Sequence, residues 1–230
     1  MRIAACSRRM SMKSRISILL ALVSTFVTPI TAQDAKTELS VTAKVLGGET
    51  VKTVHYAGSG SSYIVSSGTV PAHGWPHSVM KSYVRDLNLD RITSKLEMVR
   101  EEGTPPMVRA LNTMTDATAP WSSQYQFWIT PHGFMKGASV YQANMGSKTL
   151  YGTAYKTISF TVPGNQQVVG YINEENHLEK VETWIDGVVI EAQFHGYADF
   201  SGVQFPTMII EKHNGELSLI LIVKELQVTR

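Results

Sequence analysis

The sequence predicts an α+β protein built on a single large, curved antiparallel β-sheet, an incomplete barrel with a short helical insertion covering one face. Three features predict it. From Lys148 to Val228, apolar and polar residues alternate between turn dipeptides, the rhythm of an antiparallel meander. Shorter alternating runs occupy the stretch before Glu101. Between them, Tyr125, Trp128 and Ile129 recur at helical spacing. A sheet of that size must cover one face, and curling it turns the concave face into an apolar cavity.

Residues 1–32 read as a secretory leader. They hold five bases (Arg2, Arg8, Arg9, Lys13 and Arg15) and no acid, then an apolar run from Ile16 to Val27, then Pro29 and Ile30-Thr31-Ala32. The run is shorter than the roughly 20 apolar residues a membrane span needs. Cleavage is expected after Ala32, leaving 33–230 as one domain large enough for a substantial core. The whole chain has 21 Lys+Arg against 19 Asp+Glu, and losing the five leader bases leaves 16 against 19. The basicity is therefore an export signal and not a nucleic-acid surface. The single cysteine, Cys6, leaves with the leader, taking with it any disulfide, thiolate nucleophile or thiolate metal site. The expected location is periplasmic or secreted, with no stable membrane span after cleavage.

Taken in order, Val51 to Tyr56 alternates as a strand, Ala57-Gly58-Ser59-Gly60 reads as a turn and Tyr63-Ile64-Val65 as the returning strand. Residues 69–78, rich in Pro and Gly, read as a loop. From Val79 to Leu89, parity puts Val79, Lys81, Tyr83, Arg85 and Leu87 on one side and Met80, Ser82, Val84 and Asp86 on the other. Ile92 to Arg100 is read as a strand from its neighbours and the stop at Gly103, and Asn112 to Ser123 as a mobile segment. The helical insertion spans about 122–140. Thr130 caps and Pro131 starts its second piece, because proline lacks the donor a helix interior needs. Strands follow at 157–162, 167–172, 178–185, 189–197, 205–212 and 217–228, punctuated by Pro163-Gly164-Asn165, Asn173 to Asn176, Asp186-Gly187 and Asn214-Gly215.

Several segments carry a resemblance. They are Tyr56-Ala57-Gly58-Ser59-Gly60-Ser61, Trp75-Pro76 with Tyr83-Val84-Arg85-Asp86, the run from Trp128 to Ala138, Gly170-Tyr171-Ile172-Asn173, Val181 to Ile185, and Tyr197 to Pro206. Together they resemble the amino-terminal region of exported bacterial proteins that carry a metallo-β-lactamase-fold hydrolase behind it. The last segment also resembles the periplasmic lipoprotein-carrier (LolA-like) fold. That resemblance implies a curled sheet closed by helices around an apolar cavity. The hydrolase needs a His-x-His-x-Asp-His cluster, which none of the seven histidines forms, so its activity does not carry over. The chain is expected to be the front module alone.

Few residues suggest bond-breaking chemistry. His73 and His77 are four apart, but Gly74 and Pro76 forbid a helix and no third ligand is near. His132 is either a proton carrier or anion contact at a helix start, or a packing histidine, and packing is preferred. Ser59, Ser61 and Ser62 lack a nucleophile-elbow context. Glu97, Glu101 and Glu102, and Glu174, Glu175 and Glu179, sit at strand ends where solvated acids are ordinary. No catalytic residue, metal or cofactor is therefore assigned. A set of large apolar side chains, Trp75, Tyr125, Trp128, Phe134, Met135 and Trp184, is the candidate lining or lid of an apolar cavity. The expected function is non-catalytic binding of a lipid or acyl ligand, or docking on a hydrolase domain or another envelope protein.

Overall fold

The computed structural model describes residues 32–46, 50–66, 70–101 and 109–230. Residues 1–31 of the proposed leader and Glu102 lie outside them. Among the described residues, eleven strands form one antiparallel sheet, with three helices beside it. The helices are α1 (Ala32–Val45), α2 (Trp121–Trp128) and α3 (Pro131–Val140). The strands are β1 (Thr53–Tyr63), β2 (His77–Asn88), β3 (Thr93–Arg100), β4 (Ala110–Thr115), β5 (Asn144–Leu150), β6 (Thr153–Val162), β7 (Gln166–Ile172), β8 (Leu178–Ile185), β9 (Val188–Asp199), β10 (Gln204–His213) and β11 (Glu216–Thr229).

Two meanders, β1–β4 and β5–β11, meet where the first strand pairs with the last. The edge strands β4 and β5 are consecutive in the chain, so the link between them, α2 and α3, must cross one face from edge to edge. That crossing shows the curl. α2 touches β3, β4 and β8. An eight-residue helix is about 12 Å long, whereas six strand spacings separate β3 from β8, about 29 Å in a flat sheet. Only a sheet wrapped around α2 brings both to it. Trp121 Nε1 bonds the Trp184 carbonyl on β8 at 2.8 Å, while Arg85 on β2 reaches the Gln126 carbonyl at 3.4 Å.

The turn dipeptides fold as their chemistry requires. Asp186-Gly187 and Asn214-Gly215 have positive φ at both positions, as tight hairpins matching the sheet twist demand. Three expectations are corrected. Ala57-Gly58-Ser59-Gly60 is not a turn, because β1 runs straight through it. A Cβ at Gly58 or Gly60 would stand 2.0 Å from the Ile222 carbonyl oxygen or 1.9 Å from that of Ile220, so the glycines admit the backbone of β11 at a register shift. The parity expected along β2 breaks, since a register shift between Met80 and Ser82 puts Met80 on the same buried side as Tyr83, Arg85 and Leu87. Finally, part of the segment read as mobile is β4, paired residue by residue with β3.

The core fills the inner side. Strand residues such as Val54, Leu96, Phe160, Val168, Phe194 and Leu221 meet Phe127, Trp128 and Phe134 from the helices. α3 docks by pairing rings with missing side chains. A Cβ on Gly170 would lie 2.2 Å from the Phe134 ring, and one on Gly137 would lie 2.3 Å from the Phe160 ring. On the outer side, Tyr171 donates to Glu182, and Lys180 bridges Glu182 at 2.9 Å and Glu191 at 3.1 Å, a polar network that satisfies itself.

Candidate functional site

A cavity of about 960 Å³ opens where α1 and α3 approach the outer ends of the central strands. Leu39, Ala43 and Leu46 wall it from α1 and its end, Val51 from the entry to β1, and Met135 and Ala138 from α3. The volume lies within the range of small-molecule pockets, about 300–1,000 Å³.

Each wall is placed by local chemistry. Leu39, Ala43 and Leu46 recur at four and three residues, one stripe of a helix. α1 is fastened by Glu38, whose carboxylate takes the Lys156 ammonium of β6 at 2.8 Å. α3 begins where expected: the Thr130 side chain accepts from the Gly133 N–H at 3.1 Å, and Pro131 occupies the first turn. Its first turn presents His132, which is 4% exposed and bonds the Leu46 carbonyl through Nε2 at 2.9 Å. A carbonyl only accepts, so Nε2 carries the hydrogen and Nδ1 is the bare nitrogen. Burial pushes the imidazole down to about 4, against the pull of the Leu46 carbonyl. It also stacks on Phe205, with ring centres 5.8 Å apart. His132 is thus neutral near pH 7 and pins the end of α1 to α3, the packing role preferred from sequence.

A second feature lies deeper, beneath α2. Arg85 is buried on β2, its Nε donating to Tyr83 Oη at 2.7 Å and its Nη1 to Ser94 Oγ at 3.0 Å. Burial opposes its charge, but Tyr83, Tyr56 and Glu211 outweigh that and raise its pKa. Glu211 on β10 is half-buried by exposed area, yet protein crowds its carboxyl closely enough to push it up, and Arg85 offsets part of that rise.

The candidate cavity residues separate. Met135 lines the cavity. Tyr125, Trp128 and Phe134 are buried in the core between helices and sheet. Trp75 docks its loop on the β10–β11 hairpin, Nε1 donating to Glu216 at 3.1 Å. Trp184 is half-buried on β8 and offers its carbonyl to Trp121. The α1 wall was missed from sequence. Its stripe was readable, but Thr37, Ser40, Val41 and Thr42 dilute the helical signal with hydroxyl and β-branched residues.

The possible chemical groups are scattered. Glu97 pairs with Lys95, Glu101 with Lys81 at 3.8 Å and Glu175 with His177 at 3.3 Å, while Glu179 accepts from Asn173. His77 stacks on Tyr63. The nearest approach to a catalytic pair is His55 with Asp86 at 2.6 Å, which stands on the half-exposed outer side of β1 and β2, away from the cavity walls. Among the described residues, no group of three or more His, Cys, Asp or Glu is placed to hold a metal ion. No described helix is long and apolar enough to cross a membrane.

No family model matches the chain, and no curated protein matches it. Solved structures of similar shape exist. One is a LolA superfamily protein from Nitrosomonas europaea, 11% identical at a TM-score of 0.48, covering 87% of this chain and 94% of its own. A DUF1329 family protein from Desulfovibrio piger is 10% identical at a TM-score of 0.48, covering 87% of this chain and 93% of its own. A domain assigned to outer membrane lipoprotein-sorting proteins of Vibrio parahaemolyticus is 9% identical at 0.48, covering 86% and 94%.

Proposed function

We propose that the chain is a non-enzymatic binding module that shelters the apolar part of a lipid or acyl compound in the cavity between α1, α3 and the sheet. The observation that supports this is the cavity itself, about 960 Å³ with apolar walls from three separate elements. Such a space, once filled, removes hydrocarbon from water at about 25 cal/mol for each Å² covered. One titratable group in its lining, His132, is uncharged near pH 7 and already bonded to Leu46, a poor position for general acid–base work. The export signal read in residues 1–32 would put this module in the periplasm or outside the cell.

The test uses N-phenylnaphthylamine, a neutral fluorophore that brightens in apolar sites, with native mass spectrometry of protein purified from cell envelopes. Saturable uptake is expected. Ala43→Trp and Met135→Trp, each filling part of the cavity, should weaken it at least about tenfold while circular dichroism stays unchanged, about 1.4 kcal/mol. Protein that never carries an acyl compound and takes up no fluorophore would refute the binding role. It would favour the other role the resemblance implies, docking beside a hydrolase domain.

A further inference from the structure

Resting on that binding role, we infer that the ligand is an amphiphile with an acyl chain and an anionic head, a carboxylate or a phosphate monoester. The charged residues lining the cavity are Lys36, Lys52, Lys136, Arg230 and Asp90. Setting Arg230 aside, that is three lysines against one aspartate, in a chain whose expected mature charges are 16 Lys+Arg against 19 Asp+Glu. The excess is local, and it is interleaved with the apolar walls. Lys36 stands three residues before Leu39 and seven before Ala43, on the α1 stripe that faces the cavity. Lys52 follows Val51, and Lys136 follows Met135 and precedes Ala138 by two. Lysine stems lie along apolar surface while their ammonium groups stay in water. Hydrocarbon walls with cationic heads along their margin complement an acyl chain ending in an anion.

Elsewhere, some lysines have carboxylate partners, while Lys44, Lys212 and Lys224 have none among the described residues. Lys148 and Lys180 stand beside Glu182, Lys156 beside Glu38, and Lys95 beside Glu97. Among the described residues, no carboxylate pairs with Lys36, Lys52 or Lys136. The protein leaves three ammonium groups at the rim of an apolar space with no carboxylate in ion-pair contact among its described residues, and an anionic head supplies that contact. A cationic head meets repulsion there and a neutral head gains nothing.

The experiment measures displacement of N-phenylnaphthylamine, below micellar concentration, by four compounds of one chain length: dodecanoate, dodecyl phosphate, dodecanol and dodecyltrimethylammonium. Either anionic compound should displace the fluorophore at about one tenth the concentration that dodecanol needs, as a few partly exposed charge contacts allow. The advantage should shrink as salt rises. The better of dodecanoate and dodecyl phosphate identifies the head group as carboxylate or phosphate. Lys52→Glu combined with Lys136→Glu should remove the preference for either anion over dodecanol, each compound being read against the fluorophore affinity of the same variant. Equal displacement by dodecanol and both anions, or a preference that survives the double variant, overturns the anionic head yet leaves the apolar site standing. Failure of the fluorophore itself to bind removes both.

Discussion

Burial holds His132 uncharged, and this makes stability depend on pH in a definite direction. Its folded pKa is pushed down to about 4, whereas an imidazole in the unfolded chain titrates near 6.5. Between these values the unfolded state binds the proton and the folded state does not, so stability rises with pH. The contribution is fully present above about pH 6.5 and is lost as pH falls through about 4. From pH 7.5 to 5 the loss should be about 2 kcal/mol in urea unfolding. His213, also lowered by burial, acts in the same direction, so a comparison isolates His132. His132→Gln keeps a donor for the Leu46 carbonyl and should lose about 2 kcal/mol less over that interval; an equal loss in both proteins would place the effect elsewhere. Arg85 supplies a second case. Arg85→Met strips its bonds to Tyr83 and Ser94 and leaves Glu211 without its cation, at an expected cost of about 3 kcal/mol. Glu211→Gln alone should cost less, since burial already favours the neutral acid. In the double variant the costs should fall short of their sum, and strict additivity would mean the two groups do not interact.

At the scale of elements, α3 is held to the sheet by shape. Phe134 enters the space above Gly170, and Phe160 the space beside Gly137. Gly170→Ala places a methyl 2.2 Å from a ring that the core prevents from moving away. Such overpacking costs about 1–3 kcal/mol. Phe134→Leu should relieve part of it, so that the double variant is more stable than the sum of the single effects predicts; no relief in thermal or urea melts would mean the two positions are not in contact. The same elements show which parts of the fold are readable from sequence. Thr130-Pro131 marks the start of α3 because cap and proline act locally, and Asp186-Gly187 marks a hairpin for the same reason. Gly58 and Gly60 mislead because their cause is distant: the backbone of β11, more than 150 residues later, leaves no room for a side chain. Local chemistry announces itself in a short window, whereas a close approach between remote strands does not. The bulge that carries Met80 to the side of Tyr83 is hidden in the same way.

Across the whole molecule, the first and last strands form the centre of the sheet, and the edges belong to the middle of the chain. Alternation and turns made the curved sheet and its helical cover legible. The cavity was less so, because it is assembled from α1, the entry to β1 and α3, three segments far apart in sequence. Of the large side chains singled out in the sequence, Met135 stands at the cavity, while Tyr125, Trp128 and Phe134 are buried in the core. Large rings mark what a curled sheet must fill; the space left open is walled by smaller residues such as Ala43 and Ala138. This arrangement also sets where the molecule opens. β1, β10 and β11 have partners on both sides, and strands flanked this way lose their hydrogen bonds only when the sheet comes apart. β4 and β5 have one partner each and many exposed residues. Amide exchange should therefore be slowest in β1, β10 and β11 and at least about a hundredfold faster in β4 and β5, a gap of about 2.7 kcal/mol. A filled cavity stiffens α1 and α3 against the central strands, so ligand should slow exchange in Leu39 to Leu46 and at the Val51 entry without changing β4. Uniform protection across the sheet in the empty protein would mean that edges and seam open together, and that the crossing helices, which join one edge to the other, close the curl as firmly as a barrel.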